Sequence, residues 1–564
     1  MKRFIVTLLT LLVALPTMAQ SMSQARRDAL LEYQARRRQA LQEYQDNYRK
    51  AAAEYMRQRW EAFNVEAPIS EPQRKEPVEP VVKQPTSVTP PAEQRMPAGE
   101  VVDLPKPTTP TETVTTTPTT PQVESKPEPK VEPKREVEVP RASDAPKATT
   151  PVTPTKTITP QEPKPEKITA PEKPVTVKTP QPTKPVEKVA TTTVISPKAQ
   201  EPKLNTSRAL KFSFYGTTLS VSLSAAHTVA LSSVQESAVA TEWGRIASGK
   251  YDNLFSECRE IKEQLQLNDW GYYMLVRTIC NTFCGKATNE SVLLQSFLMS
   301  EAGYKMRLAR GDNRLRLLLS VDTKIYSKPY FTIAGETFYL LDGEAKASRF
   351  NICNFPIPGE RPLAMVMHNM PLLNYRAGTA ITRTDIKLKT SVTVTPNLNL
   401  TAFMSDYPSC SWEAYASAHL SKQTASALLP TLRKAIEGKD EVKAVEILLS
   451  FLHYGFPYKT DPQQFGVERT FFAEEMFAYT YSDCEDRSIL LAQLVKELLG
   501  LDVMLLNYPE HIATAVKFKG AVAGDYVQLG SSRYVVCDAT YIGAKVGEAM
   551  PEFKKVSAKM IRIN

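Results

Sequence analysis

The prolines of this chain are concentrated in a single segment. Of 43 prolines in 564 residues, thirty lie between Pro68 and Pro202. The segment is rich in Thr, Lys, Glu and Val and almost free of aromatic residues. Because this composition buries too little apolar surface to offset the entropy lost on ordering, the segment is not expected to form a packed core. The sequence therefore predicts a disordered linker over residues 67–207.

The net charge of +9 is spread over the whole chain. Arg36, Arg37 and Arg38 form the single basic run, and a solvated helix face explains that run better than a polyanion site does. The charge pattern therefore argues against a nucleic-acid partner.

The first residues have the form of an export signal. Lys2 and Arg3 precede a short apolar stretch, and a small-x-small pattern ends at Ala19, which predicts a signal peptide over residues 1–19. The apolar stretch is too short for a comfortable membrane span, and no later stretch supplies one. We expect a bacterial protein without a transmembrane segment that is exported to the periplasm or the extracellular space.

Residues 20–66 predict one long amphipathic helix. Glu-Tyr pairs recur every eleven residues, at 32–33, 43–44 and 54–55. Eleven residues make about three helical turns, so the repeated residues share one face. Two interpretations remain open. The helix self-associates with a second copy or docks on an envelope component, or it is a solvated helix with little cohesion.

The cysteine count bears on redox state and on metal binding. Seven cysteines are an odd number, so in an exported protein at least one thiol is free or pairs with another chain. Cys280 and Cys284 have no histidine nearby and make a poor zinc site. We expect no metal ion and no cofactor.

After residue 207 the composition becomes globular and predicts an α+β fold. Helical and strand-like patterns alternate, with β character concentrated in residues 350–405. The predicted organisation is a signal peptide (1–19), an amphipathic helix (20–66), a linker (67–207), an α+β domain (208–345), a β-rich module (346–407) and a C-terminal domain (408–564).

The C-terminal domain contains a candidate nucleophile. Ser482 and Glu485 have capping-box spacing before an apolar helical pattern, which places Cys484 in the first turn of a helix. The helix dipole at that end favours a thiolate. His511 begins a strand-like segment and Asp538 ends another, and the spacing from Cys484 to His511 equals that from His511 to Asp538. A thiol nucleophile needs a base and a carboxylate to orient that base, and this order can bring all three to one edge of an antiparallel sheet.

Three segments carry a resemblance to a known family: DCEDRSILLAQLVKELLG, HIATAV and YVVCDATY. Together they resemble the Cys-helix, His-strand and Asp-strand motifs of the transglutaminase-like family of papain-related cysteine enzymes, over about residues 411–548. The resemblance implies a papain-like core in which a helix packs on an antiparallel sheet. It also implies that Cys484 is the nucleophile, His511 the general base and then acid, and Asp538 the orienting carboxylate.

The donor that stabilises an oxyanion is less clearly marked. The backbone N–H of Cys484 is one candidate, and the side chains of Gln464 and Tyr481 are the others.

An internal repeat is visible as well. Sliding residues 287–307 onto 484–504 aligns Gly303 with Gly500 and places Ala287 opposite Cys484. A later strand pattern ends at Asp342 in the same order. Residues 208–345 are then an inactive copy of the C-terminal domain, or, if the match is chance, an unrelated α+β domain.

Two functional hypotheses follow. The first is an exported cysteine enzyme that transfers acyl groups at amide bonds of proteins or cell-wall peptides, to water or to an amine. The second is a non-catalytic binding or scaffold protein of the bacterial envelope that uses transglutaminase-like domains as interaction surfaces. The complete Cys484, His511 and Asp538 set favours the first, whereas the linker and the copy without a cysteine favour the second.

Overall fold

The computed structural model describes residues 24–69, 93–99, 204–509 and 511–563. The predicted signal peptide lies outside these residues, as does most of the predicted linker. The described residues belong to one compact unit. They form a mixed α+β fold with antiparallel sheets, which confirms the predicted class; one short parallel strand is added by the N-terminal region.

The N-terminal region is built into this unit. Helix α1 (Gln24–Gln58) leads into strand β1 (Trp60–Asn64), and a short strand, β2 (Gln94–Arg95), follows. The predicted helix over residues 20–66 is therefore wrong beyond residue 58, and the predicted linker is wrong at residues 93–99. Both strands form by backbone pairing with strands that are remote in the sequence. Local composition carries no sign of such pairing.

The second half of α1 packs against the globular residues. The Arg49 guanidinium lies 2.8 Å from Asp252 and 2.7 Å from Glu301, and only 5% of the Arg49 side chain is exposed. The Tyr55 ring lies beside a phenylalanine ring of the globular part. Tyr33, on the first half of the helix, is 56% exposed. The predicted apolar face is therefore partly buried within the same chain.

The first globular half combines helices with a six-stranded sheet. Strands β3 (Leu210–Phe214) and β4 (Thr217–Val221) form a hairpin. Four helices follow: α2 (Glu236–Ile246), α3 (Asp252–Gln264), α4 (Asp269–Cys284) and α5 (Asn289–Glu301). Five strands come next: β5 (Met306–Gly311), β6 (Arg314–Leu319), β7 (Tyr330–Ile333), β8 (Glu336–Tyr339) and β9 (Arg349–Cys353). With β1 they make a sheet of order β1-β9-β5-β6-β8-β7, and α5 packs on β5 and β6.

The predicted β-rich module over residues 346–407 is not a separate module. Its first strand, β9, belongs to the sheet just described. Among the described residues of this range, the other strands are β10 (Ile381–Asp385) and β11 (Thr390–Val394), which form a two-stranded hairpin. Helix α6 (Leu398–Ser405) follows.

The second globular half is organised like the first. Five helices come first: α7 (Trp412–Ala416), α8 (Lys422–Ile436), α9 (Glu441–Gly455), α10 (Asp461–Phe465) and α11 (Cys484–Leu499). Five strands follow: β12 (Asp502–Asn507), β13 (Ile512–Lys517), β14 (Asp525–Leu529), β15 (Ser532–Cys537) and β16 (Lys559–Arg562). With β2 they make a sheet of order β16-β12-β13-β15-β14-β2, and α11 packs on β12 and β13.

The two large sheets share one strand order. Without the strand that each receives from the N-terminal region, they read β9-β5-β6-β8-β7 and β16-β12-β13-β15-β14. The register agrees too, since one constant offset in residue number carries the Met306–Leu319 pair onto the Val503–Val516 pair. An offset smaller by one carries the Tyr330–Tyr339 pair of the next hairpin onto Tyr526–Val535. If the sequence match between the two halves were due to chance, their strand order and register would not be expected to agree.

Candidate functional site

Cys484 is the first residue of helix α11. The N-cap is Asp483, which forms a capping box with Asp486, and the N–H of Asp483 donates to the Asp486 carboxylate at 3.3 Å. The predicted box of Ser482 and Glu485 is wrong by one residue, although Cys484 lies in the first turn as expected. The helix ends at Leu499 and is capped by Gly500, whose φ of 63° is the left-handed conformation that glycine adopts without strain. The thiol therefore lies at the end of the helix where peptide dipoles favour negative charge.

His511 and Asp538 meet where two inner, paired strands of the sheet end, next to this helix. His511 directly precedes β13 and Asp538 directly follows β15, and the two strands pair antiparallel. The His511 Nε2 atom lies 2.8 Å from Asp538 Oδ2, and both side chains are almost completely buried. The other carboxylate oxygen of Asp538 accepts hydrogen bonds from the N–H groups of Thr540 and Tyr541, at 2.9 and 3.1 Å. The carboxylate is thereby held in one orientation.

The charges of this pair are strongly coupled. Burial alone would lower the pKa of His511, but the Asp538 carboxylate, its hydrogen bond and a hydrogen bond with Cys484 raise it to about 10. Burial would raise the pKa of Asp538, but the charge and hydrogen bond of His511 hold it below its usual value. Since Nε2 is engaged by Asp538, Nδ1 is the ring nitrogen left for the thiol. His511 thus lies between the Asp538 carboxylate and the sulfur of Cys484, and both of these neighbours favour its charged form.

The thiol also has charged neighbours on its own helix. Cys484 Sγ donates to the Glu485 carboxylate at 3.3 Å. Arg487, one turn further along, is fully buried and donates to the carbonyl of Phe456. Burial lowers the pKa of Arg487 to about 10, while Tyr458 and nearby carboxylates act in the opposite direction. Arg487 was not among the expected site residues, although its spacing of three residues from Cys484 on a helix is a signal that could have found it.

A second buried histidine supports the loop that carries Asp538. His453 lies near the end of α9, and its Nε2 is 2.9 Å from the backbone oxygen of Asp538. Its Nδ1 accepts a hydrogen bond from the N–H of Gly543, so the proton must be on Nε2 and the ring is neutral. Burial lowers the pKa of His453, in agreement with that state. No local sequence signal marks this residue, because it lies 85 residues before Asp538.

Aromatic rings cover the imidazole. The Phe553 ring stacks on His511 with centroids 5.1 Å apart, and Tyr508 stacks on Phe553 at 4.9 Å. Phe553 belongs to the connection between β15 and β16, residues 538–558, which is longer than the matching connection of the first sheet, residues 340–348. This longer connection also contains Asp538. Only 2% of Cys484 and 3% of His511 is exposed, so the site is closed to solvent.

Gln464 and Tyr481, the two residues whose side chains are predicted as oxyanion donors, are linked to each other by a hydrogen bond. Gln464 lies in α10, and its side-chain oxygen accepts a hydrogen bond from the N–H of Tyr481 at 3.2 Å. Gln464 thus supports the segment that leads into the nucleophile. The Tyr481 side chain is 37% exposed and packs against the Lys459 ammonium group.

Four carboxylates next to the thiol are close enough to hold a cation. They lie within 4.8 Å of one another and belong to Asp461, Glu468, Asp483 and Glu485. These carboxylates also accept hydrogen bonds within the protein: Asp461 from the N–H of Arg469 at 2.7 Å, Asp483 from the N–H of Asp461 at 3.4 Å and Glu485 from the thiol. Oxygen ligands of this kind suit a hard divalent ion better than zinc.

All seven cysteines lie within the described residues, and none forms a disulfide. Cys284 is half-buried, whereas the other six are buried. Among the helices of the described segments, none combines the length and the apolar character that crossing a membrane requires.

The first sheet lacks two of the three candidate groups at matching positions. The offset that aligns the β5–β6 hairpin with the β12–β13 hairpin places Arg314 where the second sheet has His511, and Ala287 where it has Cys484. Asp342 lies where the other sheet has Asp538, and its carboxylate is bound by the Tyr273 hydroxyl and the Arg277 guanidinium, each at 2.7 Å.

No protein-family model, no curated protein and no solved structure matches this chain. The resemblance to the transglutaminase-like family therefore rests on the residues of this chain alone.

Proposed function

We propose that residues 408–564 form a papain-like, transglutaminase-like cysteine acyltransferase or peptidase. The observation that carries the proposal is the His511–Asp538 pair beside Cys484 at the start of α11. A thiol at a helix start, an imidazole hydrogen-bonded to it and a fixed carboxylate behind the imidazole are the parts that a cysteine nucleophile needs.

The chemistry proceeds in two halves. The Cys484 thiolate attacks an amide carbonyl, so a C–S bond forms and the carbonyl π electrons move onto oxygen. When this intermediate collapses, the C–N bond breaks and the leaving amine takes the proton of the His511 imidazolium. Water or a second amine then attacks the thioester, neutral His511 accepts its proton, and the thiolate leaves. Asp538 stabilises the imidazolium in both halves.

The substrate class follows from this chemistry and from the predicted export. Amide bonds of proteins or of cell-wall peptides are the substrates that we propose for an enzyme in the bacterial envelope. Because the triad is closed to solvent, the groups that cover it have to move before a polymer can reach the thiol; Phe553, which stacks on His511, is one of the groups that cover the triad.

We infer that the first globular half is an inactive copy of the second. The shared strand order and register support this inference, and the absence of a thiol and an imidazole at the matching positions removes the chemistry. Its Asp342 carboxylate is engaged by Tyr273 and Arg277 and serves packing.

Cysteine mapping with iodoacetamide tests the proposal. If reactivity simply follows exposure, half-buried Cys284 is labelled before any buried cysteine. If Cys484 is activated, it is labelled first in spite of its burial, and His511→Ala slows its labelling by at least tenfold. Cys284→Ser is the matched control and should leave the Cys484 rate unchanged. Labelling of Cys284 with an inert Cys484 in the folded protein would refute the enzyme and favour a scaffold.

A further inference from the structure

Tyr458 lies in the segment that pairs with the residues entering the nucleophile helix. Its backbone forms a parallel bridge with Ser482, two residues before Cys484. Two hydrogen bonds hold the bridge: the N–H of Ser482 donates to Pro457 at 3.2 Å, and the N–H of Lys459 donates to Ser482 at 3.3 Å. The Tyr458 backbone is therefore fixed relative to the start of α11.

The Tyr458 side chain is fixed as well. The Arg487 guanidinium lies over its ring, 5.1 Å from the centroid. Arg487 is fully buried and is itself one helical turn beyond Cys484. The ring therefore lies beside the first turn of the nucleophile helix, and after burial Cys484 and Asp483 are the neighbours that raise the pKa of Tyr458 most.

The Tyr458 hydroxyl is buried, and it forms no hydrogen bond with any residue that the structure describes. A buried hydroxyl without a partner costs about 1–3 kcal/mol, so a folded protein rarely keeps one without a use. An oxyanion that forms only during reaction is an acceptor of the required kind. A donor held in place beforehand stabilises such a charge without reorganising.

We propose that the Tyr458 hydroxyl is a catalytic residue that donates a hydrogen bond to the oxyanion formed when Cys484 attacks an acyl carbonyl. This assignment rests on the proposed function. Burial raises the pKa of Tyr458, and Cys484 and Asp483 raise it further, which favours the protonated phenol that a donor requires. The backbone N–H of Cys484 is the second donor, since the first N–H groups of a helix point out along its axis.

The amide NH2 group of Gln464 is a further candidate donor, since the hydrogen bond with Tyr481 engages only the side-chain oxygen of Gln464. Tyr458 meets the requirements of this role better than Tyr481, whose side chain is more than one third exposed. A water-exposed donor is worth less than a buried one, because solvent competes for the same acceptor.

The test separates thiolate reactivity from oxyanion stabilisation in the full-length protein. Iodoacetamide alkylates Cys484 by displacement at carbon, and no oxyanion forms. p-Nitrophenyl acetate acylates Cys484 through a tetrahedral oxyanion. We expect Tyr458→Phe to slow acylation about 10²–10³-fold while changing the alkylation rate less than threefold. Tyr454→Phe is the matched control. Tyr454 lies four residues before Tyr458 and its hydroxyl accepts a hydrogen bond from Lys387, so removing this hydroxyl should change neither rate.

The outcomes distinguish this inference from the proposed function. If wild-type Cys484 reacts with neither reagent, the acyltransferase proposal fails. If the wild type is acylated and Tyr458→Phe is acylated equally fast, the enzyme stands and the role of Tyr458 is refuted. If Tyr458→Phe slows both reactions alike, Tyr458 acts only on the packing of the thiol, which also refutes an oxyanion role. A thermal unfolding curve shows that the variant is folded; if it is not, Tyr458→Trp, whose indole N–H can donate, should retain more acylation than Tyr458→Leu.

Discussion

The charge state of His511 is the property on which the mechanism depends most, and Asp538→Asn tests it directly. The change keeps the size of the side chain but removes the charge that lies 2.8 Å from Nε2. The carboxylate and the thiol together raise the pKa of His511 from 6.5 to about 10 against the effect of burial. At about 1.4 kcal/mol per tenfold change, this corresponds to about 5 kcal/mol in favour of the imidazolium. We expect the pKa of His511 to fall steeply in the variant, because burial, the largest single influence, is then opposed only by Cys484.

Ring-nitrogen NMR of histidine-labelled protein measures this pKa, since the chain has only five histidines. The His511 signal is assigned by its loss in His511→Gln. In the wild type it should remain that of an imidazolium up to about pH 10, and in Asp538→Asn it should be neutral at pH 7.5.

The same shift predicts a pH dependence of stability. The pKa of His511 is higher in the folded than in the unfolded chain, so its contribution is complete below pH 6.5 and is lost as the pH rises toward 10. The free energy of unfolding should therefore fall more steeply between these pH values in the wild type than in Asp538→Asn. A wild-type His511 that is neutral at pH 7.5, or equal slopes in the two proteins, would refute this account of the pair.

Two further changes test how the site and the N-terminal helix are held. His453→Ala leaves the buried carbonyl of Asp538 without its donor; we expect a loss of about 1–3 kcal/mol in unfolding free energy and a slower alkylation of Cys484, which His453→Gln partly restores. Arg49→Ala leaves the carboxylate of Glu301, which is 5% exposed, without its counter-charge. We expect about 3–5 kcal/mol of destabilisation in urea unfolding, whereas Arg36→Ala, at an exposed pair, should change it by less than about 1 kcal/mol.

Local sequence signals located much of the nucleophile helix but not its cap. Ser482 with Glu485 and Asp483 with Asp486 have the same spacing, so the pattern alone fits two caps that differ by one residue. The choice depends on which carboxylate accepts a hydrogen bond from the backbone N–H of the residue three positions before it. Glu485 is engaged with the thiol, and the Asp486 carboxylate accepts from the N–H of Phe471 as well as from Asp483. Phe471 lies 15 residues before Asp486, outside the capping pattern, so the pattern does not include this partner.

Local sequence patterns did not predict the pairing of strands that are far apart in the sequence. The Trp60–Asn64 segment looks like the end of a helix and becomes a strand because Arg349–Cys353 offers an open sheet edge. Gln94 and Arg95 lie among prolines, yet they join β14 because its outer edge has no other partner among the described strands. Unpaired strand edges attract any segment that can reach them, whatever its composition.

Residue patterns alone were enough to predict the candidate groups, namely the thiol at a helix start and the histidine and aspartate at strand ends. These are local or periodic properties, so they can be found without knowing the fold. The groups that surround the thiol, in contrast, were visible only after the chain had been folded. His453, Tyr458, Arg487 and Phe553 come from four different elements, and their protonation, stacking and hydrogen bonding depend on burial and on distances of a few ångströms. Such distances arise from packing between segments that are remote in sequence.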